Sequence, residues 1–232
     1  MHQKRLSAPK TYKIPRKVKK WIVKPSPGPH DKTAIPLLVL VRDYLKLADT
    51  GREARRIIAV GHILVDGIAR KDYKFPVGLF DVVSIPKMDL NYRIVFDEKG
   101  RYVPIEVEDY DKKLYRINNK TMVKGGKIQL NLFDGTNILA TNEYKTKDSI
   151  VMKIPEKEIL QHLKFEEGAL VMVTGGTHAG EIGRLKSYKV VRSSSPNLVT
   201  IEVEGREYTT IEDYVFVVGS KEDKKPVIDL GV

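Results

Sequence analysis

An apolar stripe within residues 34–48 gives the first strong helical signal in the chain. Its members recur at the spacing i, i+4, i+7, i+8 and i+11, and they are Leu37, Val41, Tyr44, Leu45 and Ala48. This spacing follows one face of an α-helix, so we predict a helix over residues 34–48. Pro36 falls in the first turn, where its missing amide hydrogen is tolerated.

A second helix is predicted to begin at Thr50 and to stop at Gly61. The residues Thr50-Gly51-Arg52-Glu53 form a capping-box sequence. In such a box the threonine hydroxyl accepts a hydrogen bond from a free amide of the first turn, and the glutamate reaches back to the cap. The helical pattern then continues without a break until the glycine.

This second helix has two chemically distinct faces. The face that we expect in the core carries Ala54, Ile57 and Ile58. The face turned away from it carries Arg52, Arg55 and Arg56. Guanidinium groups bind phosphate through paired hydrogen bonds, so we predict that this face contacts RNA. An ordinary solvated charged face is the alternative that the helix alone leaves open.

Short β runs follow the second helix. Residues 63–69 contain two such runs on either side of Asp66-Gly67, a pair typical of a tight hairpin. Residues 76–85 indicate a turn that leads into a strand. Three basic residues at the exit of the hairpin are predicted to contact RNA, namely Arg70, Lys71 and Lys74. His62 directly follows the helix and is either an RNA contact or a structural helix-terminal histidine.

The remaining chain is rich in strand signals. In residues 87–165, β-branched or alternating runs are separated by turn signals, and residues 155–164 are predicted to form one short helix with Pro155 in its first turn. Residues 166–220 contain four or five short strands, which predict a small barrel. Residues 221–232 are charged and broken by a proline, and we expect them to be flexible.

A glycine-rich hairpin is predicted at residues 175–184, within the first part of this small barrel. Glycines at this density permit left-handed backbone angles and the close approach of another chain segment. Three residues of the hairpin are expected to contact RNA, namely Thr177, His178 and Arg184.

Positive charge is concentrated in the first third of the chain. The 232 residues carry a formal net charge of +11, and residues 1–74 contain 18 Lys and Arg against 6 Asp and Glu. The other 158 residues contain 23 against 24. A surplus of this size indicates a polyanionic partner, of which nucleic acid is the commonest.

Residues 1–32 have the pattern of an extended basic arm, because five prolines disfavour a helix and apolar residues are few. We expect the arm to order on a phosphate surface; the alternative is a solvated, disordered tail. Tyr12 and Trp21 lie between the charges, where their rings could stack on exposed bases. The predicted RNA contacts of the arm are Lys4, Arg5, Lys10, Lys13, Arg16, Lys17, Lys19, Lys20, Trp21 and Lys24.

Several classes of protein are excluded or disfavoured by composition and motif. The absence of cysteine excludes disulfides, thiolate zinc sites and cysteine nucleophiles. No apolar run approaches the roughly 20 residues of a membrane-spanning helix, and we expect no secretory signal, because no apolar segment follows the basic N-terminus. The five histidines do not fall at a metal-binding helical spacing, and no nucleotide-binding loop or nucleophile elbow occurs. We therefore expect no catalytic site, no metal and no cofactor.

Two stretches resemble known RNA-binding families. Residues 36–86, with EARRIIAVGHILVDG and VGLFDVVSI, resemble the RNA-binding domain named after bacterial ribosomal protein S-four. VMVTGGTHAGEIGRL resembles the KOW motif of ribosomal proteins and transcription elongation factors, with Gly176, Gly180 and Gly183 at its glycine positions. Together with the basic arm and NLFDGTNIL in the middle, the whole chain resembles the archaeal and eukaryotic small-subunit ribosomal protein S-four-e family.

This resemblance implies a non-enzymatic, structural role on small-subunit ribosomal RNA in the cytoplasm, beside neighbouring ribosomal proteins, with no membrane and no homo-oligomer. The short, cysteine-free chain favours an archaeal source. The expected fold class is α+β and multidomain: an S-four-type RNA-binding α/β domain, a β-rich central domain and a small C-terminal KOW-type β-barrel. The expected bounds are 1–35 for the arm, 36–86 for the S-four-type domain, 87–165 for the central domain, 166–220 for the barrel and 221–232 for the flexible tail.

Two other functions stay open on the sequence alone. An RNA-modifying enzyme with an appended S-four-type domain would need a large catalytic domain with an active-site aspartate. The middle region is small, and Asp134 in Phe133-Asp134-Gly135 is better explained as a turn residue. An RNA-binding accessory factor of translation or transcription would instead use the KOW barrel as an adapter.

Overall fold

The computed structural model describes residues 3–30 and 33–231, so the ends of the predicted basic arm, 1–2 and 31–32, lie outside the described residues. Helix α1 covers Leu37–Val39 and continues as a π-helical turn over Leu40–Tyr44, and α2 covers Gly51–Val60. The strands in chain order are β1 (Gln3–Lys4), β2 (Trp21–Ile22), β3 (Ile35–Pro36), β4 (Leu64–Val65), β5 (Ile68–Ala69), β6 (Pro76–Val77), β7 (Val82–Ile85), β8 (Leu90–Phe96), β9 (Tyr102–Glu106), β10 (Lys112–Met122), β11 (Ile128–Leu132), β12 (Asn137–Ala140), β13 (Ser149–Lys153), β14 (Glu158–Leu163), β15 (Leu170–Val173), β16 (Ile182–Lys189), β17 (Leu198–Val203), β18 (Arg206–Ile211) and β19 (Val215–Gly219).

The first predicted helix is much shorter than expected. Its residues 37–41 are all buried, so this segment is enclosed on every side and is not an amphipathic surface helix. Residues 35–36 are a strand that pairs with β6, and the amides of Leu37 and Leu38 donate to the carbonyls of Phe75 and Tyr73. Bonds to this neighbouring segment therefore replace the first helical turn that the apolar stripe predicted.

The second predicted helix is confirmed, with its caps. The Thr50 hydroxyl accepts a hydrogen bond from the amide of Glu53, and Gly61 ends the helix with φ +85°. The Glu53 carboxylate accepts from the amide of Asp49, one residue before the cap. Strands β4 and β5 confirm the predicted hairpin, and its two turn residues both have positive φ, as such a turn requires.

The first five-stranded sheet has the order β5-β4-β7-β8-β9, and all of its strands are antiparallel. Strands β8 and β9 follow the predicted boundary at residue 86, yet β8 pairs with β7 and β9 pairs with β8, so both extend the same sheet. Helix α2 packs on α1 and the π-helical turn, and its Ala54 and Ile58 have no exposed surface. Because Ala54 and Ile58 are buried, the opposite face of α2 is turned toward solvent.

The middle sheet has the order β12-β11-β10-β13-β14 and contains the expected β runs. The helix predicted over residues 155–164 is wrong, because β14 occupies this segment. Strand β14 pairs with β13 in antiparallel register, with Ser149 opposite Leu163. The turn between them is closed by Lys157, which has φ +63° and donates its amide to the Lys153 carbonyl.

The C-terminal sheet contains five strands in the order β18-β17-β16-β15-β19, and four or five strands were predicted for this region. Its strands β15 and β19 are buried along their whole length. Gly183 in β16 is required by close packing, because a Cβ at this position would lie 2.6 Å from the carbonyl oxygen of Glu202. Phe216 of β19 packs edge-on against Phe80 and Phe133, which ties the three sheets together.

Both chain ends are packed against the sheets, contrary to expectation. In the N-terminal segment, Tyr12 is 2% exposed and its hydroxyl donates to the Ala34 carbonyl, so this ring is unavailable for base stacking. In the C-terminal segment, Ile228 and Leu230 are buried, and the Asp229 carbonyl accepts from buried Arg93 at 2.8 Å. The predictions of an arm that orders only on RNA and of a flexible tail are therefore wrong for the described residues.

Candidate RNA-binding surface

The three arginines of helix α2 are all exposed. Burial of Ala54 and Ile58 on the opposite side fixes the rotation of the helix, and the arginines line a shallow depression together with Gly51 and Ala59. Among the described residues, no carboxylate forms an ion pair with Arg52, Arg55 or Arg56. The one acid of the helix, Glu53, is held at the N-terminal cap. Three uncompensated guanidinium groups therefore face solvent from one short helix.

A second group of basic side chains lies beside this helix. The guanidinium carbon of Arg55 is 4.4 Å from the ring centroid of Tyr73, and the ammonium of Lys74 is 5.6 Å from the same centroid. The side chain of Lys71 passes close to the helix end, since its Cε lies 3.4 Å from a Cβ built on Gly61. We call the surface formed by Arg52, Arg55, Arg56, Lys71, Tyr73 and Lys74 the arginine face.

His62 and Arg70 lie at the edge of the arginine face, and both are half-buried. The guanidinium carbon of Arg70 is 4.4 Å from the ring centroid of Phe75, and its Nε is buried without a hydrogen-bond partner. Arg70 thus covers an apolar ring while its outer nitrogens lie near the surface. His62 follows Gly61 at the C-terminal end of α2.

Most predicted residues of the basic arm are exposed, including its seven lysines and Trp21. The Trp21 side chain is 49% exposed, and the Lys20 ammonium is 5.2 Å from its ring centroid. The arm is held on the first sheet by backbone hydrogen bonds, such as that from the Tyr102 amide to the Thr11 carbonyl. The arm therefore presents its exposed lysines from a fixed position on the first sheet.

Two arginines that were predicted to contact RNA instead form hydrogen bonds within the arm. Arg5 is 4% exposed, and its Nε donates to the carbonyl of Pro15 at 2.5 Å. The two terminal nitrogens of Arg16 donate to the carbonyls of Ala8 and Pro9, both at 2.7 Å. These bonds satisfy carbonyls in a segment that forms few backbone pairs, so Arg5 is a structural residue and Arg16 is largely one.

The predicted residues of the C-terminal hairpin have three different environments. Thr177 is exposed. The His178 ring stacks on Tyr208 with centroids 3.9 Å apart, and its Nδ1 lies 3.0 Å from a carboxylate oxygen of Glu181. Arg184 donates to the carbonyls of Gly168, Lys221 and Asp223, so it fastens the C-terminal segment to the sheet and is not free for a ligand.

Sequence reasoning missed a buried charge cluster between the first and middle sheets. The ammonium of Lys113, in β10, lies 2.6 Å from Asp66, 2.5 Å from Asp81 and 3.6 Å from Asp134. Nε2 of the His30 ring donates to the Asp81 carboxylate at 2.8 Å. Burial alone raises the pKa of Asp81, but His30 and Lys113 hold that pKa well below its usual range. The members come from distant segments of the chain, so no local pattern could predict the cluster.

Neither a metal centre nor a membrane span is found in the described part of the chain. Within residues 3–30 and 33–231, no group of three or more His, Cys, Asp or Glu side chains is arranged to hold a metal ion. Over the same ranges, no helix is long and apolar enough to cross a membrane.

Comparisons with known proteins match the chain over three consecutive stretches. The RS4NT (NUC023) domain matches residues 1–33, the S4 domain matches residues 35–83, and Ribosomal family S4e matches residues 88–159. The chain is thus a basic protein with an S4 domain, in which a few short helices accompany many β-strands.

Relatives extend the match over the full length. Small ribosomal subunit protein eS4 of Archaeoglobus fulgidus is 79% identical over 100% of this chain and 99% of its own, and the protein of the same name from Methanocella arvoryzae is 51% identical over 94% of each chain. The crystal structure of the 30S ribosomal protein S4e from Thermoplasma acidophilum superposes with a TM-score of 0.70, at 32% identity, over 83% of this chain and 98% of that one. The chain belongs to ribosomal family S4e, as the sequence resemblance predicted.

Proposed function

We propose that this chain is a structural, non-enzymatic constituent of the small ribosomal subunit and that it binds and stabilises folded small-subunit ribosomal RNA. The observation that carries the proposal is the arginine face, whose guanidinium groups are exposed and have no acidic partner among the described residues. The names of the full-length archaeal relatives support the same role. An RNA phosphate backbone supplies the counter-charge that the arginine face lacks.

The arginine face acts on RNA through shape and charge. Arginine forms paired hydrogen bonds with phosphate oxygens, and the stacking of Arg55 on Tyr73 holds one guanidinium in place before binding. Side chains cannot read the narrow major groove of A-form RNA, so such contacts recognise the course of the backbone and not the base sequence. The exposed lysines of the arm and Trp21 extend the same contact.

The C-terminal unit, residues 166–220, is proposed to be a KOW-type barrel. Its five antiparallel strands and the tight packing around Gly180 and Gly183 support this assignment. A Cβ on Gly180 would lie 2.2 Å from the carbonyl oxygen of Asp97, so the glycine-rich hairpin docks on the turn between β8 and β9. Thr177, which is exposed beside this dock, and His178 are the residues of the hairpin that we propose for RNA contact.

A charge-removal experiment tests the arginine face. The variant R52A/R55A/R56A is compared with K164A/K189A/R192A, which removes three positive charges from the middle and C-terminal units. Alanine has the highest helix propensity, so α2 should persist, and far-ultraviolet circular dichroism checks this. Binding to purified small-subunit ribosomal RNA is measured by filter retention at several salt concentrations.

The arginine variant should bind at least about tenfold more weakly, and its log–log salt slope should flatten by about 0.7–0.9 for each phosphate that the variant no longer neutralises. The control variant should bind with nearly unchanged affinity. Equally weakened binding in both variants would show that RNA binding depends on total charge and not on the arginine face. Unchanged affinity and an unchanged slope in the arginine variant would show that the arginine face is only a solvated surface.

A further inference from the structure

The second half of β10 forms a three-stranded antiparallel unit with β11 and β12, and one face of this unit carries mainly amide side chains. The pairing register places Asn119, Asn131 and Asn137 side by side in one row. The next row contains Thr121, Gln129 and Leu139. We call these six residues the amide face.

The amide face points away from the core. Leu130 and Leu132 alternate with its residues along β11 and are buried in the small core cluster of the middle unit. Asn119, Asn137 and Leu139 are exposed. A bulge between Ile117 and Asn119 inserts one residue into β10, so the side chains beyond it alternate in step with those of β11.

The composition of this face departs from what a solvent-exposed sheet usually carries. Asparagine is depleted in strands, where β-branched and aromatic residues form the stabilising cross-strand pairs, yet here three asparagines meet in one row. Strand β12 is also a sheet edge without a charge or a proline, although edges are normally protected by such residues. Departures from local preference concentrate at functional sites.

Positive charge borders the amide face at its tip. Lys124 and Lys127 are exposed on either side of Gly125-Gly126, whose surroundings are open. The one acid between residues 112 and 142 is Asp134, which is buried in the cluster around Lys113. Glu143, exposed just beyond β12, is the first acid after this stretch. A neutral hydrogen-bonding surface with a basic tip thus faces solvent.

From this arrangement we infer that the amide face binds the minor groove of a double-helical RNA segment, as a second RNA surface separate from the arginine face. The inference rests on the proposed function, because it assumes a ribosomal RNA ligand. The minor groove of A-form RNA is wide and shallow and displays 2′-hydroxyl groups and base edges. Amide and hydroxyl side chains can donate to and accept from these groups, while Lys124 and Lys127 reach the bordering phosphates.

A protein partner fits the same surface less well. The buried centre of a protein–protein interface is mostly apolar, whereas the amide face offers Leu139 as its single large apolar side chain. The combination of neutral amides with lysines at one end has the chemistry of a groove bounded by phosphates.

The absence of cysteine makes directed cleavage a clean test. Three full-length single-cysteine variants carry an iron chelate that generates hydroxyl radicals: N137C on the amide face, Q161C on β14 at the opposite edge of the same sheet, and A59C beside the arginine face. Each is bound to purified small-subunit ribosomal RNA. N137C should cleave both strands of one RNA helix across its minor groove, A59C should cleave at a different site, and Q161C should cleave little.

A matched pair of isosteric substitutions measures the energetic contribution. N137D and Q161E each add one negative charge on an exposed edge strand of the same sheet. A charge about 6 Å from a phosphate in a water-like dielectric weakens binding about threefold, so N137D should show this loss and Q161E should not.

Cleavage by A59C but not by N137C, together with equal affinities of N137D and Q161E, would overturn the inference and leave the proposed function standing. Cross-linking of N137C to a ribosomal protein in assembled subunits, without RNA cleavage, would assign the surface to a protein instead. Failure of the unmodified chain to bind the RNA at all would overturn the proposed function as well.

Discussion

Replacement of Lys113 by methionine should destabilise the protein severely, because its ammonium is the centre of a buried charge cluster. The side chain is 2% exposed and lies within 2.6 Å of Asp66 and Asp81, with Asp134 at 3.6 Å. Methionine keeps much of the length and apolar contact of the lysine stem. The substitution therefore removes the positive charge with little change in packing and leaves the carboxylates facing one another.

The magnitude follows from the burial of the cluster. Removal of one partner from a buried ion pair costs about 3–5 kcal/mol, because the remaining charge stays desolvated without compensation. His30 still faces Asp81 in the variant, at 2.8 Å, which favours the lower end of that range. A loss of about 3 kcal/mol should lower the melting temperature of a chain of this size by roughly 6–12 °C.

The assay is urea unfolding followed by circular dichroism, with K153M as the control. Lys153 forms an exposed ion pair with Glu156 at 3.9 Å, and such pairs contribute at most about 1 kcal/mol. The double variant K113M/D81N should recover part of the stability that K113M loses, since it also removes a carboxylate. A loss below about 1 kcal/mol in K113M, or no recovery in the double variant, would refute the reasoning about the cluster.

Two further predictions concern other features of the fold. Gly180→Ala should destabilise the chain by more than about 2 kcal/mol, because a positive φ of 95° is combined with a clash against the Asp97 carbonyl. The control Gly125→Ala has φ 85° and open surroundings, so it should cost only the roughly 1–2 kcal/mol of backbone strain, and equal melting temperatures of the two variants would contradict this difference. The pKa of Asp81 is lower in the folded chain than its unfolded-state value of about 3.9, so its contribution to stability is present above that value and is lost as the pH falls below it. The urea midpoint should therefore fall more steeply between about pH 4 and pH 2 in the unmodified protein than in D81N.

The features that the sequence predicted correctly are those whose information lies in adjacent residues. The capping box at Thr50 and the stop at Gly61 each depend on one turn of chain, and the structure shows both. The hairpin at Asp66-Gly67 depends on two residues that tolerate positive φ. Glu53 differs in detail, because its carboxylate bonds the amide of Asp49 and not that of Thr50.

The incorrect helix over residues 155–164 shows where local pattern fails. A proline followed by charged residues suits a first helical turn as well as a strand entry, so sequence spacing alone could not choose between them. Pairing with β13 decides in favour of a strand, and it places Leu163 in the core. The partner strand ends before the segment begins, so no window confined to residues 155–164 contained the deciding information.

The two chain ends were mispredicted for a related reason. The prolines of the N-terminal segment and the charges of both segments are typical of disordered chain, but a few apolar side chains, among them Tyr12 and Ile228, are buried in cores built by distant residues. Arg5 and Arg184 were predicted to contact RNA, but because of the same long-range packing they donate hydrogen bonds to backbone carbonyls. The arginines of α2 stay exposed because their helix buries its other face.

Sedimentation of an extract of the source cells through a sucrose gradient in high salt tests the central claim most directly, with the protein detected by mass spectrometry. A constituent held by many phosphate contacts in folded ribosomal RNA should remain with the small subunit in near-stoichiometric amounts. Recovery of the protein at the top of the gradient, free of the small subunit, would contradict a structural ribosomal role and would favour a factor that binds and leaves.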